Sequence, residues 1–389
     1  MSINFDEIID RRGTSCLKYD FAVERGYPKD VLPFWVADMD FRAPVPVIDA
    51  LTARTAHGIF GYTQVKDDYF NVLRDWFRTH HAWTVQRDEL VITPGVVFAI
   101  ATAIRAYTAP NDAVIIQQPV YYPFASMIRQ NGRTLIDSPL RFADGRYSID
   151  FTDFEQKIID HKVKLFVLCS PHNPVGRVWT RTELEQLAAI CLRHHVIVVA
   201  DEIHEEFVRP GFRHIPFASL SADAAAITVT CTSPSKTFNL AGLQISNIFI
   251  SDESLRRRFK EELSRTGYDE PNTLGLAGAK AAYEHGTPWL KELLAYIEEN
   301  YAFTKKYLAA HLPKVKLIAP EGTYLIWMDF SAYGLSDKEL NEKVIHAANL
   351  WLDDGPIFGV GGSGFQRMNL ACPRSTLQTG LAHLAKAFS

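Results

Sequence analysis

Lys236 is the residue of this chain best placed to act as a nucleophile. Ser233 and Ser235 flank it in the apolar segment Thr232–Asn239. A lysine beside apolar groups has a lowered pKa and can act as an amine nucleophile, and two neighbouring hydroxyls can hydrogen-bond a phosphate. A lone lysine in a loop is more often simply solvated, so this segment needs partners elsewhere in the chain.

Two other polar residues stand directly beside apolar or rigid stretches. Asp201 follows Val196–Ala200, where a carboxylate is poorly solvated and needs a partner such as a cationic ring nitrogen. Asp201 could equally be the N-cap of a helix or a member of a structural ion pair. Asn173 lies between Pro171 and Pro174, which fix an extended turn. An asparagine held in this way can bond a phenolic oxygen and a carboxylate together, although the turn could also be purely structural.

The turn Thr93–Val97 is a candidate phosphate site. Gly95 permits a tight turn, and a helix beginning near Val96 leaves the backbone amides of Val96 and Val97 without helical partners. Free amides at a helix N-terminus bind anions well. Many strand–helix turns look like this one, so the turn alone is weak evidence for a phosphate site.

The elements around these segments predict an α/β protein with a largely parallel sheet, because short apolar runs alternate with helical patterns. In an open parallel sheet, ligands bind outside the carboxyl ends of the strands. The segments described above should therefore meet in one crevice. The predicted strands are Glu89–Thr93, Ala113–Gln117, Val163–Cys169, Val196–Ala200, Ile227–Thr230 and Ile245–Ile250.

The C-terminal third follows a different pattern, which predicts a smaller second domain. Capping boxes are expected at Thr182 with Glu185, opening a helix to about His194, and at Ser336 with Glu339, opening a helix to about Leu350. A long amphipathic helix is predicted over Leu290–Leu312, and strands over Val315–Ile318, Thr323–Met328 and Arg367–Leu370. We predict a large domain over residues 50–285 and a small domain formed by residues 1–49 and 286–389.

Composition excludes several classes of protein. The chain has 389 residues, with 41 Lys+Arg against 45 Asp+Glu, so it lacks the basic excess of a nucleic-acid binder. No apolar stretch is long enough to span a membrane. The segment Met1–Asp10 has no apolar core and is not expected to be a signal peptide. Five cysteines without a C-x-x-C pair indicate buried, reduced thiols and a cytoplasmic location.

Two other motifs are expected to be misleading. Gly359, Gly361 and Gly364 match a dinucleotide-binding pattern, but a strand-like segment follows them and no acidic residue occurs after Asp354. They are predicted to form a loop. The acidic and histidine residues over 201–206 have no metal-ligand spacing, so no metal is expected.

The order of Asn173, Asp201, Lys236 and Arg367 along the chain resembles that of the fold-type I pyridoxal 5′-phosphate enzymes of the class I/II aminotransferase superfamily. The resemblance covers nearly the whole chain. Four strings are more closely similar to the MalY/PatB branch of cystathionine β-lyases, also called C–S lyases. These strings are Leu32–Phe41, Gly61–Thr63, Pro119–Phe124 and Arg367–Leu370.

The resemblance implies a role for each matching residue. Lys236 would carry the cofactor and later take the Cα proton of the substrate. Asp201 would face the pyridine nitrogen and keep it protonated, so that the ring accepts electrons. Tyr121 would stack on the ring, and Asn173 would bond its phenolic oxygen. His204 would also lie against the cofactor, at a position where many aminotransferases have tyrosine.

The resemblance also implies how the phosphate and the substrate carboxylate are bound. The phosphate ligands would be the Val96 and Val97 amides, Ser233, Ser235 and Tyr62. Tyr62 would come from the other subunit of a homodimer with shared active sites. The substrate ligands would be Arg367, through a bidentate contact, Asn173, and the backbone of Val36 and Ala37.

Three positions depart from the wider superfamily. His204 replaces the tyrosine already mentioned, and Gln244 stands where many aminotransferases have a phosphate-binding arginine. Both traits favour the lyase branch. Phe98 occupies a position that is often proline in that branch, from which nothing is inferred.

The predicted function is α,β-elimination of L-cystathionine or related S-substituted cysteines to a thiol, pyruvate and ammonia, as in cysteine-S-conjugate β-lyases. The partners expected are a small amino-acid substrate and a second copy of the chain, with no nucleic acid and no membrane. Two alternatives remain open. One is an aminotransferase, and the other is a lyase with an added regulatory, protein-binding role.

Overall fold

The largest sheet has seven strands in the computed structural model, which describes residues 3–389. Met1 and Ser2, the start of the predicted small domain, lie outside the described residues. The strands are β1 (Leu32–Pro33), β2 (Leu90–Thr93), β3 (Ala113–Ile116), β4 (Thr134–Asp137), β5 (Arg141–Ala143), β6 (Arg146–Ser148), β7 (Leu165–Cys169), β8 (Ile197–Asp201), β9 (Thr228–Thr232), β10 (Ser246–Phe249), β11 (Lys316–Leu317), β12 (Leu325–Asp329), β13 (Leu350–Trp351), β14 (Asp353–Asp354) and β15 (Phe365–Asn369).

Helices precede, separate and follow these strands. The α-helices are α1 (Val45–His57), α2 (Asp67–His81), α3 (Val96–Tyr107), α4 (Pro123–Gln130), α5 (Phe151–His161), α6 (Arg181–Arg193), α7 (Ala222–Ala226), α8 (Pro234–Thr237), α9 (Glu253–Ser264), α10 (Thr273–His285), α11 (Thr287–His311), α12 (Asp337–Glu342) and α13 (Arg374–Phe388). Shorter 3₁₀ segments cover Val23–Arg25, Arg87–Glu89, Phe217–Ser219, Ala241–Leu243, Ser331–Tyr333 and Gly355–Phe358.

The order of the large sheet is β2-β10-β9-β8-β7-β3-β4. Over residues 3–389, β10 runs opposite to the other six strands of this sheet. The carboxyl ends of β2, β7, β8 and β9 therefore lie at the same edge, as the sequence predicts. Helices cover both faces: α3, α4 and α9 pack on one face, and α5 and α6 on the other. Burial on both sides explains the uninterrupted apolar runs of β3 and β7.

The smaller sheet is antiparallel, in the order β11-β12-β15-β14, and packs against α11 and α13. β1 pairs in parallel with β13, which ties the N-terminal segment to this part of the chain. The predicted division at residue 286 falls at Gly286, between α10 and α11, whereas the division at residue 50 falls inside α1. The two-domain boundary stays a prediction.

Most predicted strands are confirmed to within two residues, but two helix boundaries are wrong. The capping box of α6 is formed by Thr180 and Glu183, not by Thr182 and Glu185. The Thr180 side chain accepts a hydrogen bond from the Glu183 amide at 3.2 Å, and its backbone has the extended geometry that an N-cap needs. Thr182 lies inside the helix.

The second boundary error concerns the helix that begins after Ser336. The capping box with Glu339 is confirmed, but α12 ends at Glu342 and a π-helical turn follows over Lys343–Ala347. Leu350 belongs to β13, because its backbone pairs with Leu32. Pairing with a segment more than 300 residues away in sequence overrides the local helical pattern.

All five cysteines are free, and four of them are buried, as expected; Cys16 is only half-buried. No helix within residues 3–389 is long and apolar enough to cross a bilayer.

A buried ion pair connects the loop before β12 to the turn before α6. Arg177 Nε lies 2.8 Å from Glu321 Oε2, and its Nη2 atom lies 2.9 Å from Glu183. The Val178 amide donates to the same Glu321 oxygen at 3.0 Å. Because Arg177 is 2% exposed, its charge depends on these carboxylates for compensation.

We expect Glu321→Ala to lower the free energy of unfolding by about 3 kcal/mol, since it leaves a buried guanidinium undercompensated. Arg146→Ala is the matched control. Arg146 contacts the same carboxylate at 2.9 Å, but its side chain is 56% exposed, so its loss should cost less than about 1 kcal/mol. Thermal and denaturant midpoints of both variants measure the difference. Equal shifts in the two variants would show that the burial of Arg177 does not determine how much the ion pair contributes to stability.

Candidate active site

A cavity of about 200 Å³ opens at the carboxyl edge of the large sheet. The turns after β2, β7, β8 and β9 each contribute to its wall. It is lined by Ala37, Pro94, Gly95, Val96, Val97, Tyr121, Cys169, Asn173, Asp201, Ile203, His204, Ser233, Ser235, Lys236, Ala241, Ile245 and Ser246. Most of the residues that the sequence predicts for the site therefore meet here.

Lys236 projects from α8, directly after β9, and is half-buried. Its Nζ atom donates a hydrogen bond to the Ala37 carbonyl oxygen at 2.7 Å. Burial lowers the pKa of Lys236 to about 8, an effect that Arg367 reinforces and that Asp38 and Asp201 oppose. Roughly a tenth of the amine is thus neutral, and so nucleophilic, at pH 7, far more than for an exposed lysine.

We expect acetylation of Lys236 by acetic anhydride in the cofactor-free protein to be half-maximal near pH 8, because the neutral amine is the reacting form. Exposed lysines should react half-maximally near roughly pH 10.4. Peptide mass spectrometry measures each site separately. Asp38→Asn is the matched control: it removes a carboxylate that raises the pKa of Lys236, so the midpoint should fall further. A wild-type midpoint above pH 10 would contradict this account of the lysine.

Asp201 is the last residue of β8 and is 4% exposed. Among the described residues its one hydrogen-bond donor is the Ile203 amide, at 3.2 Å. Burial raises the pKa of Asp201 to about 7. A carboxylate that borders a cavity without a cationic partner in contact is well suited to bind a protonated nitrogen of a ligand.

His204 lies one turn beyond Asp201 and is buried against the same cavity. Burial, aided by the charges of Lys236 and Arg367, lowers the pKa of His204 well below its usual range. The imidazole is therefore neutral. Its Nδ1 atom has no hydrogen-bond partner among residues 3–389, so this side of the ring can still bond a ligand.

Arg367, on β15, is buried and held from three directions. Its Nη1 atom donates to Asn173 Oδ1 at 3.0 Å, and its Nη2 atom donates to the Trp35 carbonyl oxygen at 2.6 Å. Nη2 also forms an ion pair with Asp353, which lies opposite Arg367 in the β14–β15 register. Arg367 itself does not line the cavity, and its Nε atom is buried without a partner within the described chain.

The segment Val36–Ala37 is fixed by contacts from the smaller sheet. Asn369 Nδ2 donates to the Val36 carbonyl oxygen at 2.7 Å, and the Tyr324 hydroxyl donates to the Ala37 carbonyl oxygen at 2.8 Å. Ala37 lines the cavity, whereas Val36 does not. The Ala37 carbonyl thus accepts from both Tyr324 and Lys236.

The opposite end of the cavity offers donors for an anion. α3 begins at Val96 without a side-chain cap, so the Val96 and Val97 amides have no helical partner. A Cβ built at Gly95 would meet no other atom within 4 Å, so open space lies against this turn. Ser233 Oγ donates to the Ile245 carbonyl oxygen at 2.8 Å and lies 2.9 Å from Ser235 Oγ, so the two hydroxyls hold each other beside the free amides.

The two predicted tyrosines differ in position. Tyr121 lines the cavity, with its ring between the neighbouring aromatic side chains Tyr122 and Phe124. Tyr62 lies in the loop between α1 and α2, is 94% exposed and does not line the cavity of its own chain.

These donors fit pyridoxal 5′-phosphate. Free amides and a hydroxyl suit its phosphate, a neutral lysine suits its aldehyde, and the unpaired Asp201 suits its protonated pyridine nitrogen. Tyr121 offers an aromatic face. The unpartnered Nδ1 of His204 and Nε of Arg367 are buried polar atoms that a bound ligand would satisfy.

Three residues near the site were missed by reasoning from sequence. Asp38 is next to Ala37 and acts electrostatically on Lys236; it belongs to the string Leu32–Phe41, which could have indicated it. Tyr324 and Asp353 carry no motif. They reach the site through the arrangement of the smaller sheet.

The sequence and fold of this chain are similar to those of several known proteins. Residues 29–384 match the family model of class I and II aminotransferases. Cystathionine beta-lyase PatB of Bacillus subtilis is 46% identical over 387 residues, covering 100% of both chains. The PLP-bound C-S lyase from Staphylococcus hominis has a TM-score of 0.93 and 33% identity, covering 100% of this chain and 98% of that one. Cystalysin from Treponema denticola, which contains a pyridoxal 5′-phosphate cofactor, has a TM-score of 0.96 and 38% identity, covering 100% and 99%.

Proposed function

Because the chain belongs to the class I and II aminotransferase family, we propose that it is a pyridoxal-phosphate-dependent C–S lyase. The reaction is α,β-elimination of L-cystathionine, or of a related S-substituted cysteine, to a thiol, pyruvate and ammonia. The observation that carries the proposal is the convergence of Lys236 and Asp201 on one cavity, with Arg367 hydrogen-bonded to Asn173 of the cavity wall. The full-length relatives named as C–S or cystathionine lyases support the reaction type.

When bound, pyridoxal phosphate withdraws electrons from the Cα atom of an amino acid joined to it. Asp201 would bond the ring nitrogen and, as a carboxylate, keep it protonated. The Val96 and Val97 amides and Ser235 would hold the phosphate, with Ser233 orienting Ser235. Asn173 and His204 would bond the ring substituents and Tyr121 would stack on one face, while the apolar wall excludes water.

The substrate is held by groups at the other end of the cavity. Arg367, positioned by Asp353, would hold the α-carboxylate together with Asn173, and the backbone of Val36 and Ala37 would close that pocket. The Ala37 carbonyl keeps Lys236 Nζ at the cavity wall. From there Lys236 would take the Cα proton on its neutral amine, since its pKa is lowered to about 8.

Elimination and amino transfer share this machinery, and the stabilisation of later transition states decides between them. A tenfold preference needs only about 1.4 kcal/mol. Gln244 and His204, which stand where many aminotransferases have arginine and tyrosine, support elimination over the alternative of an aminotransferase.

A second copy of the chain is part of the proposal. The face formed by α1 and the following loop exposes several apolar side chains. These are Val45, Ile48, Ile59, Phe60 and Tyr62. A homodimer would cover this face and would let Tyr62 reach the phosphate of the partner's site. The five free cysteines support a reducing compartment, the cytoplasm.

The experiment that tests the proposed reaction is product analysis with the cofactor-loaded protein and L-cystathionine, with no keto acid added. We expect homocysteine, pyruvate and ammonia in equal amounts. Amino transfer that appears only when a keto acid is supplied would instead identify an aminotransferase.

A further inference from the structure

A second cavity, of about 280 Å³, adjoins the active site. Ala241 lines both cavities, and Asp38, which lines the second, directly follows Ala37 of the first. Asp38 also acts electrostatically on Lys236, which places the two spaces next to each other. The two cavities therefore share part of their wall.

The second cavity carries charges of both signs. Its acidic group nearest the active site is Asp38, which is 18% exposed and pairs with Arg11 at 2.6 Å. Its most accessible basic group is Arg42, whose side chain is 61% exposed and pairs with Glu7 at 2.9 Å. A carboxylate and a guanidinium in one small cavity suit a ligand that has both an ammonium and a carboxylate.

The other charged groups of this cavity form an ion-pair network that includes Asp38, which also lies 3.7 Å from Lys18. Arg11 binds both Asp38 and Asp40, at 2.6 and 2.8 Å. Asp40 in addition accepts from Lys18 at 2.8 Å and from Tyr19 at 3.2 Å. This network fixes the segment that carries Asp38, and Arg42, outside the network, is the most exposed cation of the cavity.

We infer that the second cavity binds the distal α-amino-acid end of the substrate, with Arg42 holding its carboxylate and Asp38 its ammonium. The inference rests on the proposed function and names the residues that would select S-substituted cysteines whose leaving thiol is itself an amino acid. The Arg42–Glu7 pair is exposed and therefore weak, so the substrate carboxylate can replace Glu7 on the guanidinium.

The test compares L-cystathionine with S-methyl-L-cysteine, which lacks the distal amino-acid end. In Arg42→Ala, the ratio of KM for L-cystathionine to KM for S-methyl-L-cysteine should rise about tenfold, since a charge-assisted contact is lost for one substrate alone. Arg42→Lys should recover part of the loss. Glu7→Gln should lower the ratio about twofold, because it frees Arg42.

Arg12→Ala is the matched control. Arg12 lies in the same N-terminal segment, is 56% exposed and pairs with the exposed Asp10, but it does not line the cavity. It should leave the ratio unchanged. A ratio that stays constant in Arg42→Ala, or that shifts equally in Arg12→Ala, would overturn the inference.

A binding measurement separates this inference from the proposed function. In the cofactor-loaded Lys236→Ala background, Kd for both amino acids can be measured by calorimetry without turnover. Arg42→Ala should raise Kd for L-cystathionine about tenfold relative to Kd for S-methyl-L-cysteine. If wild-type protein releases no pyruvate from either substrate, the proposed function fails. If Arg42→Ala changes Kd equally for the two amino acids, the second cavity does not bind the distal end of the substrate, whatever the reaction is.

Discussion

Replacing Lys236 with alanine is expected to reduce pyruvate release from L-cystathionine by about 10⁴-fold or more, the upper range for loss of a positioned acid–base group. Its Nζ atom lies at the cavity wall, 2.7 Å from the Ala37 carbonyl, and has a pKa of about 8. Of the residues that line the cavity, it is the one amine that can both join the cofactor and carry the substrate proton.

The protein should still bind the cofactor, because the phosphate donors and Asp201 are unchanged. The absorbance of the bound cofactor and the circular dichroism spectrum check that the variant is folded and loaded. Lys280→Ala is the matched control: Lys280 forms an ion pair with Asp68 on the surface, away from the cavity, and its loss should leave turnover unchanged. Residual activity above 1% of wild type in Lys236→Ala would exclude the lysine as the proton carrier.

Asp201→Asn should lower kcat/KM by about 10²–10³-fold, comparable with removal of a preorganised charge-stabilising group. An asparagine cannot hold the ring nitrogen protonated, so the bound cofactor would withdraw electrons less strongly. Asp137→Asn is the matched control. Asp137 ends β4 of the same sheet, and burial raises its pKa to about 6, but it bonds the Gln118 amide and does not line the cavity. Equal losses in both variants would indicate a structural effect.

The same substitution should stabilise the cofactor-free protein in a pH-dependent way. The pKa of Asp201 is about 7 when folded, against 3.8 for its ordinary value, so the folded state holds the proton more tightly. The folded state is therefore penalised as pH rises from about 4 to 7, and fully above pH 7. Cofactor-free Asp201→Asn should melt at a higher temperature than cofactor-free wild type at pH 8, and this gain should shrink towards pH 4. A gain in melting temperature that does not depend on pH would contradict the raised pKa of Asp201.

The large sheet and the centre of the site could be predicted from the sequence because both depend on local patterns. The apolar runs of β7, β8 and β9 locate Asn173, Asp201 and Lys236 at strand ends, and parallel topology then brings them together. The position of α6 shows the limit of such patterns. Thr180 with Glu183 and Thr182 with Glu185 both match a capping box, and only the backbone geometry distinguishes them.

The residues that orient Arg367 and Ala37 could not be predicted, because their contacts depend on strand register and packing. Asp353 reaches Arg367 only through the pairing of β14 with β15, and Tyr324 reaches Ala37 only when the two sheets are docked. The pairing of Leu350 with Leu32 likewise joins distant parts of the chain. No spacing in the sequence encodes these contacts.

The most direct test of the central claim is a count of pyruvate molecules formed per active site from L-cystathionine, with no keto acid present. Elimination regenerates the enzyme in each cycle, so we predict sustained release far beyond one equivalent. An aminotransferase would convert L-cystathionine to the corresponding keto acid rather than to pyruvate, and without an acceptor it stops once each cofactor has taken one amino group. Product formation that ends at one equivalent, and resumes when a keto acid is added, would contradict the proposed lyase.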